Sequence, residues 1–323
     1  MRIRPSRPVV VALTGLLALL SACEREPPAE VPVASPGVPA ESTGTPSVES
    51  GERRTYERNI VLFSLDADSL LAVVWLFTAQ PDSTSVDRTA RAFVLHDVTW
   101  ESVFEDAWES PVIREPWRVL PDSSLRVVVG LGDVLDRIVL DEPDAHLELV
   151  PGEVLTEWSG PRGGTYHLME GQAVLGDRTV SGLGLDMARS WTPADRHGDW
   201  AFLVSGDSLQ VVLHSPTLRP PGSGAWRGWA RLDFRQLRWP VLTMQWPDLR
   251  AFEQARRDVP VAWSIAAPDG EVRVELSAAG AHLEAGEGEG AQLPVRGVFG
   301  VVGTLSFEGG LYPVRGLVRH IQP

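Results

Sequence analysis

From about residue 55 onward the chain alternates. In Glu271-Val272-Arg273-Val274-Glu275-Leu276 every second residue is apolar and those between are charged. Successive side chains of a β-strand point to opposite faces, so Glu271–Ser277 predicts a strand with one buried and one wet face. Strand signals recur at Ile60–Leu65, Leu70–Phe77, Arg91–Trp100, Leu125–Leu131, His146–Val150 and Glu153–Trp158. The second half adds Trp200–Val204, Leu209–His214, Trp226–Leu232, Val261–Ala266, Val295–Phe307 and Tyr312–Arg319. Ser205-Gly206-Asp207, Pro268-Asp269-Gly270 and Glu308-Gly309-Gly310 separate strands closely enough for hairpins, and Asp66-Ala67-Asp68 reads as another turn. A helix is predicted only over Asp248–Arg257, where Leu249, Phe252 and Ala255 recur three apart and Asp248 stands ready as an N-cap. Strands at this spacing with one helix give an all-β class, sandwich or barrel.

A weak echo divides the folded part. Gly171 to Gly182 and Gly303 to Gly316 both read as strand, tight turn, strand, then a glycine where backbone packs closely. Their spacings differ by two residues. They suggest two halves, 55–190 and 191–323, each barrel-like.

Residues 1–54 follow different rules. Arg2, Arg4 and Arg7 precede an apolar run from Val9 to Leu20, too short to span a bilayer as a helix. The run ends in Leu20-Ser21-Ala22-Cys23, which resembles the lipobox of bacterial lipoproteins. The resemblance implies a signal peptide over 1–22, removed before Cys23, and a lipid thioether on that cysteine. With two or more acyl chains such an anchor is durable. Glu24 in place of Asp after the cysteine points to the outer membrane, facing either the periplasm or the cell exterior. Residues 23–54 are rich in Pro, Ser, Gly and Glu, with no aromatic residue, and predict a flexible linker with a reach of about 30 Å.

Composition narrows the chemistry. Cys23 is the single cysteine, so no disulfide or thiol nucleophile is expected in the folded part. The net charge of −14 becomes −17 once Arg2, Arg4 and Arg7 are removed, which argues against nucleic acid as a partner. There is no lysine, hence no Schiff base, pyridoxal-phosphate lysine or P-loop lysine. No G-x-S-x-G or H-E-x-x-H motif occurs, and Gly130-Leu131-Gly132 lacks the third glycine of a dinucleotide loop. No cofactor and no resident metal are expected. Twelve tryptophans against three tyrosines are unusual. They fit core closure at sheet ends first, and a ligand cavity lined with indoles second.

The stretch Tyr166–Trp191, with Gly171, Gly182, Gly184 and Asp186, followed by Gly198-Asp199-Trp200-Ala201-Phe202-Leu203, resembles the tandem-lipocalin proteins, the AttH-like proteins and carotenoid hydratases. That resemblance implies two lipocalin-like (calycin) barrels in tandem, with a pocket for an apolar molecule. The hydratase branch carries a Trp-x-Asp-His motif near Gly184-Leu185-Asp186-Met187. Only Asp186 matches, so the catalytic assignment does not carry over.

Candidate side chains are few. Asp195-Arg196-His197-Gly198-Asp199 sets two carboxylates around a histidine, able to raise its pKa or hold a metal ion; a polar connecting loop explains the run more simply. His96-Asp97 lies within an apolar run, which predicts that one of the pair points inward. His167 and His214 lie in strands, and Asp186 and Glu157 near strand ends. Trp191 and Trp200 flank the loop between the halves. Asp186, Trp191, Trp200, His96 and His167 form the candidate pocket set. Three functions remain in view: a membrane-tethered protein binding a lipid-like or isoprenoid ligand, a hydratase or isomerase on an apolar substrate, and a structural or assembly lipoprotein.

Overall fold

The computed structural model describes residues 54–64, 71–111, 124–130, 134–160, 164–218 and 226–323. Cys23, the linker, Asp66-Ala67-Asp68 and Leu131-Gly132 lie outside the described residues, as do Leu65 and Leu70 at the ends of two predicted strands.

Nine strands build the first sheet: β1 Thr55–Ser64, β2 Leu71–Pro81, β3 Ser85–His96, β4 Thr99–Pro111, β5 Leu125–Val129, β6 Leu135–Glu142, β7 Ala145–Ser159, β8 Thr165–Leu175 and β9 Arg178–Trp191. Their order is β4-β3-β2-β1-β9-β8-β7-β6-β5, with the last strand returning to pair with the first. Eight more follow: β10 Trp200–Ser205, β11 Leu209–His214, β12 Trp226–Leu232, β13 Arg235–Phe252, β14 Arg257–Ala266, β15 Val272–Ala285, β16 Val295–Phe307 and β17 Gly310–Gln322. These close into a barrel through the pairing of β17 with β10. The class is all-β, two lipocalin-like barrels in tandem. The second is closed, and the first is a curled half-barrel left open between β4 and β5.

The curl shows in what touches what. Val86 on β3 and Leu125 on β5, near opposite edges of the first sheet, share one apolar core with Ile60, Trp75 and Met169. The barrel is filled by Leu203, Val211, Trp263, Val301 and their neighbours. A third core joins the outer faces of both sheets, with Val61, Phe63, Trp158 and Leu185 against Trp200, Phe202, Trp229 and Leu317. The odd residues of β1 meet the barrel and the even ones line its own lumen, as the two-residue pleat requires. Ser50–Pro323 accordingly forms one unit.

Glycine lets each half bring its last strand onto its first. A Cβ on Gly182 of β9 would lie 1.8 Å from the Phe63 carbonyl oxygen, and one on Gly316 of β17 would lie 2.1 Å from that of Phe202. Both are glycines of the sequence echo, at matching closures of the two halves.

Three expectations change. Asp248–Arg257 is not a helix: β13 runs on to Phe252, paired with β14, and a single 3-10 turn spans Glu253–Ala255. The ladder to β14, regular from Leu249 to Phe252 after a register shift at Asp248, pairs this backbone and outweighs a local three-residue periodicity. Arg91–Trp100 is a hairpin, turning at Asp97-Val98 with Asp97 in the left-handed region (φ 57°). His146–Val150 and Glu153–Trp158 are one strand, β7, whose register on β8 slips between Pro151 and Thr156.

Candidate functional site

The sequence candidates do not gather at one place. His96 is exposed beside the β3–β4 turn, so the inward position expected of the His96-Asp97 pair is not found. The apolar run that suggested it ends one residue earlier, at Leu95. Trp200 is fully buried, but in the core between the sheets rather than in a cavity. Trp191 is half-buried, with the Arg196 guanidinium 5.4 Å from its ring centroid.

Asp186 and His167 do meet, inside the first sheet. Glu157, His167 and Asp186 sit side by side across β7, β8 and β9; Ile60 of β1 stands opposite Asp186, and Arg58, two residues back on the same face of β1, reaches diagonally to it. Arg58 donates twice to Asp186, Nε to Oδ1 at 2.9 Å and Nη2 to Oδ2 at 2.6 Å. Burial opposes ionisation of Asp186, yet Arg58 and His167 hold its carboxyl below the ordinary value. The Asp186 carboxylate, 3.9 Å from His167 Nδ1, raises the pKa of His167, against burial. The neighbouring cavity, lined by Arg58, Phe77, Arg88 and Trp108, has a volume of only about 10 Å³. Asp186 is therefore committed to an ion pair in a filled lumen, and the row positions strands more than it offers space for a ligand.

A second buried cluster lies between the sheets. Glu57 accepts a 2.6 Å hydrogen bond from Arg189 Nη2 and has Arg319 Nη1 at 3.4 Å. Burial alone would raise its pKa; Arg189 and Arg319 bring it down to about 2. His214, stacked on Trp229 at 5.0 Å, has its pKa pushed well below the ordinary value by burial and by Arg189, so it stays neutral.

An apolar pocket with room for a ligand lies at the barrel mouth. A pocket of about 280 Å³ is walled by Leu218, Trp226, Met244, Trp246 and Ile321, with Asp199, Ser215 and Arg257 as polar members. Grooves over Pro151 (430 Å³) and beside Phe252 (400 Å³) are larger but lie more open on the surface. Asp199 immediately precedes β10, whose partner β17 brings His320 beside it. Asp199 Oδ2 is 2.7 Å from His320 Nδ1, and Oδ1 accepts the Ile321 N–H at 2.8 Å. Even-numbered Val314, Val318 and His320 point into the barrel, where His320 packs edge-on against Trp246 (5.3 Å) and Phe299 (6.1 Å). The result is a buried acid–histidine pair, its carboxylate on the wall of an apolar pocket.

Of Asp195-Arg196-His197-Gly198-Asp199, Gly198 and Asp199 line this site, and Asp199 brings the charged side chain. His197 turns back to the first sheet, its Nε2 3.3 Å from the Ser190 carbonyl oxygen. Among the described residues no three His, Cys, Asp or Glu side chains converge to hold a metal ion. His320 escaped the sequence reading, although the alternation from Val314 places it on the inward face.

No protein-family model matches the chain, and no curated protein matches it significantly. Solved structures do resemble it. Kievitone hydratase from Nectria haematococca superposes with a TM-score of 0.54 at 11% identity, over 84% of this chain and 88% of that one. A protein described as AttH from Nitrosomonas europaea gives 0.55 at 10% identity, over 90% and 99%. At such identities the likeness is one of architecture, and the chain shares with these two proteins the fold of paired lipocalin-like barrels.

Proposed function

We propose that this protein is a membrane-tethered binder of a small, mainly apolar molecule, anchored by lipid on Cys23 and holding its ligand at the mouth of the closed barrel. The observation that carries the reading is the 280 Å³ pocket walled by Trp226, Met244, Trp246, Leu218 and Ile321. Ligand sites are concave, chiefly apolar and furnished with few polar groups, and this volume suits a small ligand or one end of a longer isoprenoid or acyl chain. Burying about 300 Å² of apolar ligand surface at about 25 cal/mol per Å² contributes roughly 7 kcal/mol before entropic costs. Trp246 and Trp226 would report occupancy. Titration of the full-length protein with retinoids, carotenoid fragments and fatty acids should give a saturable change in tryptophan emission. The change should be altered in Trp246→Phe and unaltered in Trp191→Phe. A folded protein that shows no saturable response to any of these hydrophobes refutes the binding role and favours a structural or assembly function.

A second reading, a hydratase or isomerase, is favoured by the 2.7 Å contact between Asp199 and His320 beside that pocket. A carboxylate held in place by a histidine can accept or return a proton at an unsaturated substrate. Its test is the incorporation of ¹⁸O from labelled water, or double-bond migration, in a bound unsaturated probe. Asp199→Asn should abolish turnover while leaving binding intact.

A further inference from the structure

Away from the barrel mouth, a cleft of about 60 Å³ opens between the outer faces of the first sheet and the barrel. Three arginines from three strands line it: Arg91 of β3, Arg296 of β16 and Arg319 of β17. Guanidinium groups do not deprotonate in proteins, so each brings a permanent charge. Arg91 is fully answered, with Glu105 at 2.7 Å and Glu284 at 2.5 Å. Glu284 also faces His282 Nε2 at 3.1 Å, so the carboxylates on this side are taken.

The other side is different. Arg319 is 14% exposed and its Nη1 faces Glu57 Oε1 at 3.4 Å, a loose ion pair beside the 2.6 Å bond that Oε2 of the same carboxylate accepts from Arg189. Nη1 of Arg319, and Nε and Nη1 of Arg189, are buried without a hydrogen-bond partner in the protein. Arg296 is exposed and forms no ion pair among the described residues. Asp199, the remaining acid acting on Arg319, is committed to His320 and the Ile321 N–H. Arg189 and Arg319 thus share the single carboxylate of Glu57, and Arg296 adds a further positive charge to the cleft beside Arg319, in a chain whose overall charge is −14. Leaving a buried charge incompletely paired is costly, and arginine forks match the oxygens of carboxylates and phosphates. Leu76, Phe93 and Val298 supply an apolar wall to the same cleft.

We propose that this cleft is an oxyanion site, in which Arg319 and Arg296 take the carboxylate or phosphate group of a small amphipathic molecule and the apolar wall takes its tail. It is separate from the barrel mouth and stands whether or not that pocket binds a ligand.

Isothermal titration of the full-length protein at low ionic strength, with inorganic phosphate and with octanoate as separate probes, tests it. Saturable binding of octanoate alone assigns an amphipathic carboxylate, and binding of phosphate alone assigns a phosphate group. In either case Arg296→Gln, an exposed position that should leave the fold intact, weakens binding at least tenfold, the value of one charged hydrogen-bonded contact. Arg319→Gln, checked for folding by circular dichroism, weakens it further. No saturable binding of either anion overturns the site. So does octanoate binding that Arg296→Gln leaves undiminished, because that ligand then sits elsewhere.

Discussion

Replacing Glu57 by glutamine removes one negative charge and almost no volume. Its effect can be worked from the structure. Glu57 is buried between Arg189 and Arg319, and its pKa falls from 4.5 to about 2. A depressed carboxylate pKa contributes stability that is fully present above the unfolded value and is lost as pH falls through the folded one. The interval from 4.5 to about 2 corresponds to roughly 3 kcal/mol at pH 7, at about 1.4 kcal/mol per pH unit. At pH 3 the wild type retains only the part between pH 3 and its folded pKa. The stability difference between wild type and Glu57→Gln should therefore shrink by about 2 kcal/mol from pH 7 to pH 3. Urea unfolding followed by tryptophan emission at both pH values measures it. Other carboxylates, Asp186 included, titrate in both proteins and cancel in the difference. A cost that is equal at pH 7 and pH 3 would refute the ion-pair assignment, and a cost below about 1 kcal/mol at pH 7 would refute its magnitude.

Asp186→Asn should cost about 3–5 kcal/mol in the same assay, because it leaves Arg58 charged and buried opposite a neutral amide. It should also lower the pKa of His167, read by NMR titration; an unchanged histidine titration would show that Asp186 is not its partner. Gly316→Ala places a methyl carbon 2.1 Å from the Phe202 carbonyl oxygen, so β10 and β17 must part. A loss of more than about 3 kcal/mol or failure to fold is expected, and a near-neutral substitution would contradict the closure. Cys23→Ser should abolish incorporation of labelled palmitate and leave the signal uncleaved by lipoprotein signal peptidase; persistent labelling would end the anchoring proposal.

The sequence by itself determined what depends on near neighbours. Strict alternation in Val272–Leu276 made β15 legible, because the pleat alone dictates which side chains share a face. The closure glycines Gly182 and Gly316 were visible for the same kind of reason: a strand interior tolerates glycine poorly unless backbone must pass close by. Asp199 was legible as part of a polar connecting loop and Asp186 as an acid near a strand end. Which partner each acid has could not be read locally. Asp199 meets His320 across 121 positions only because β17 closes onto β10, and Asp186 meets Arg58 across 128 only because β9 returns to β1. The misread helix at Asp248–Arg257 and the misjudged His96 share that cause, since in each case a ladder to another strand fixed the backbone that local pattern had assigned differently. The location of the pocket is likewise a tertiary fact. Trp200 and Trp246 look alike in sequence. Only the pairing of strands sends Trp200 into the joint between the sheets and Trp246 to the barrel mouth beside His320.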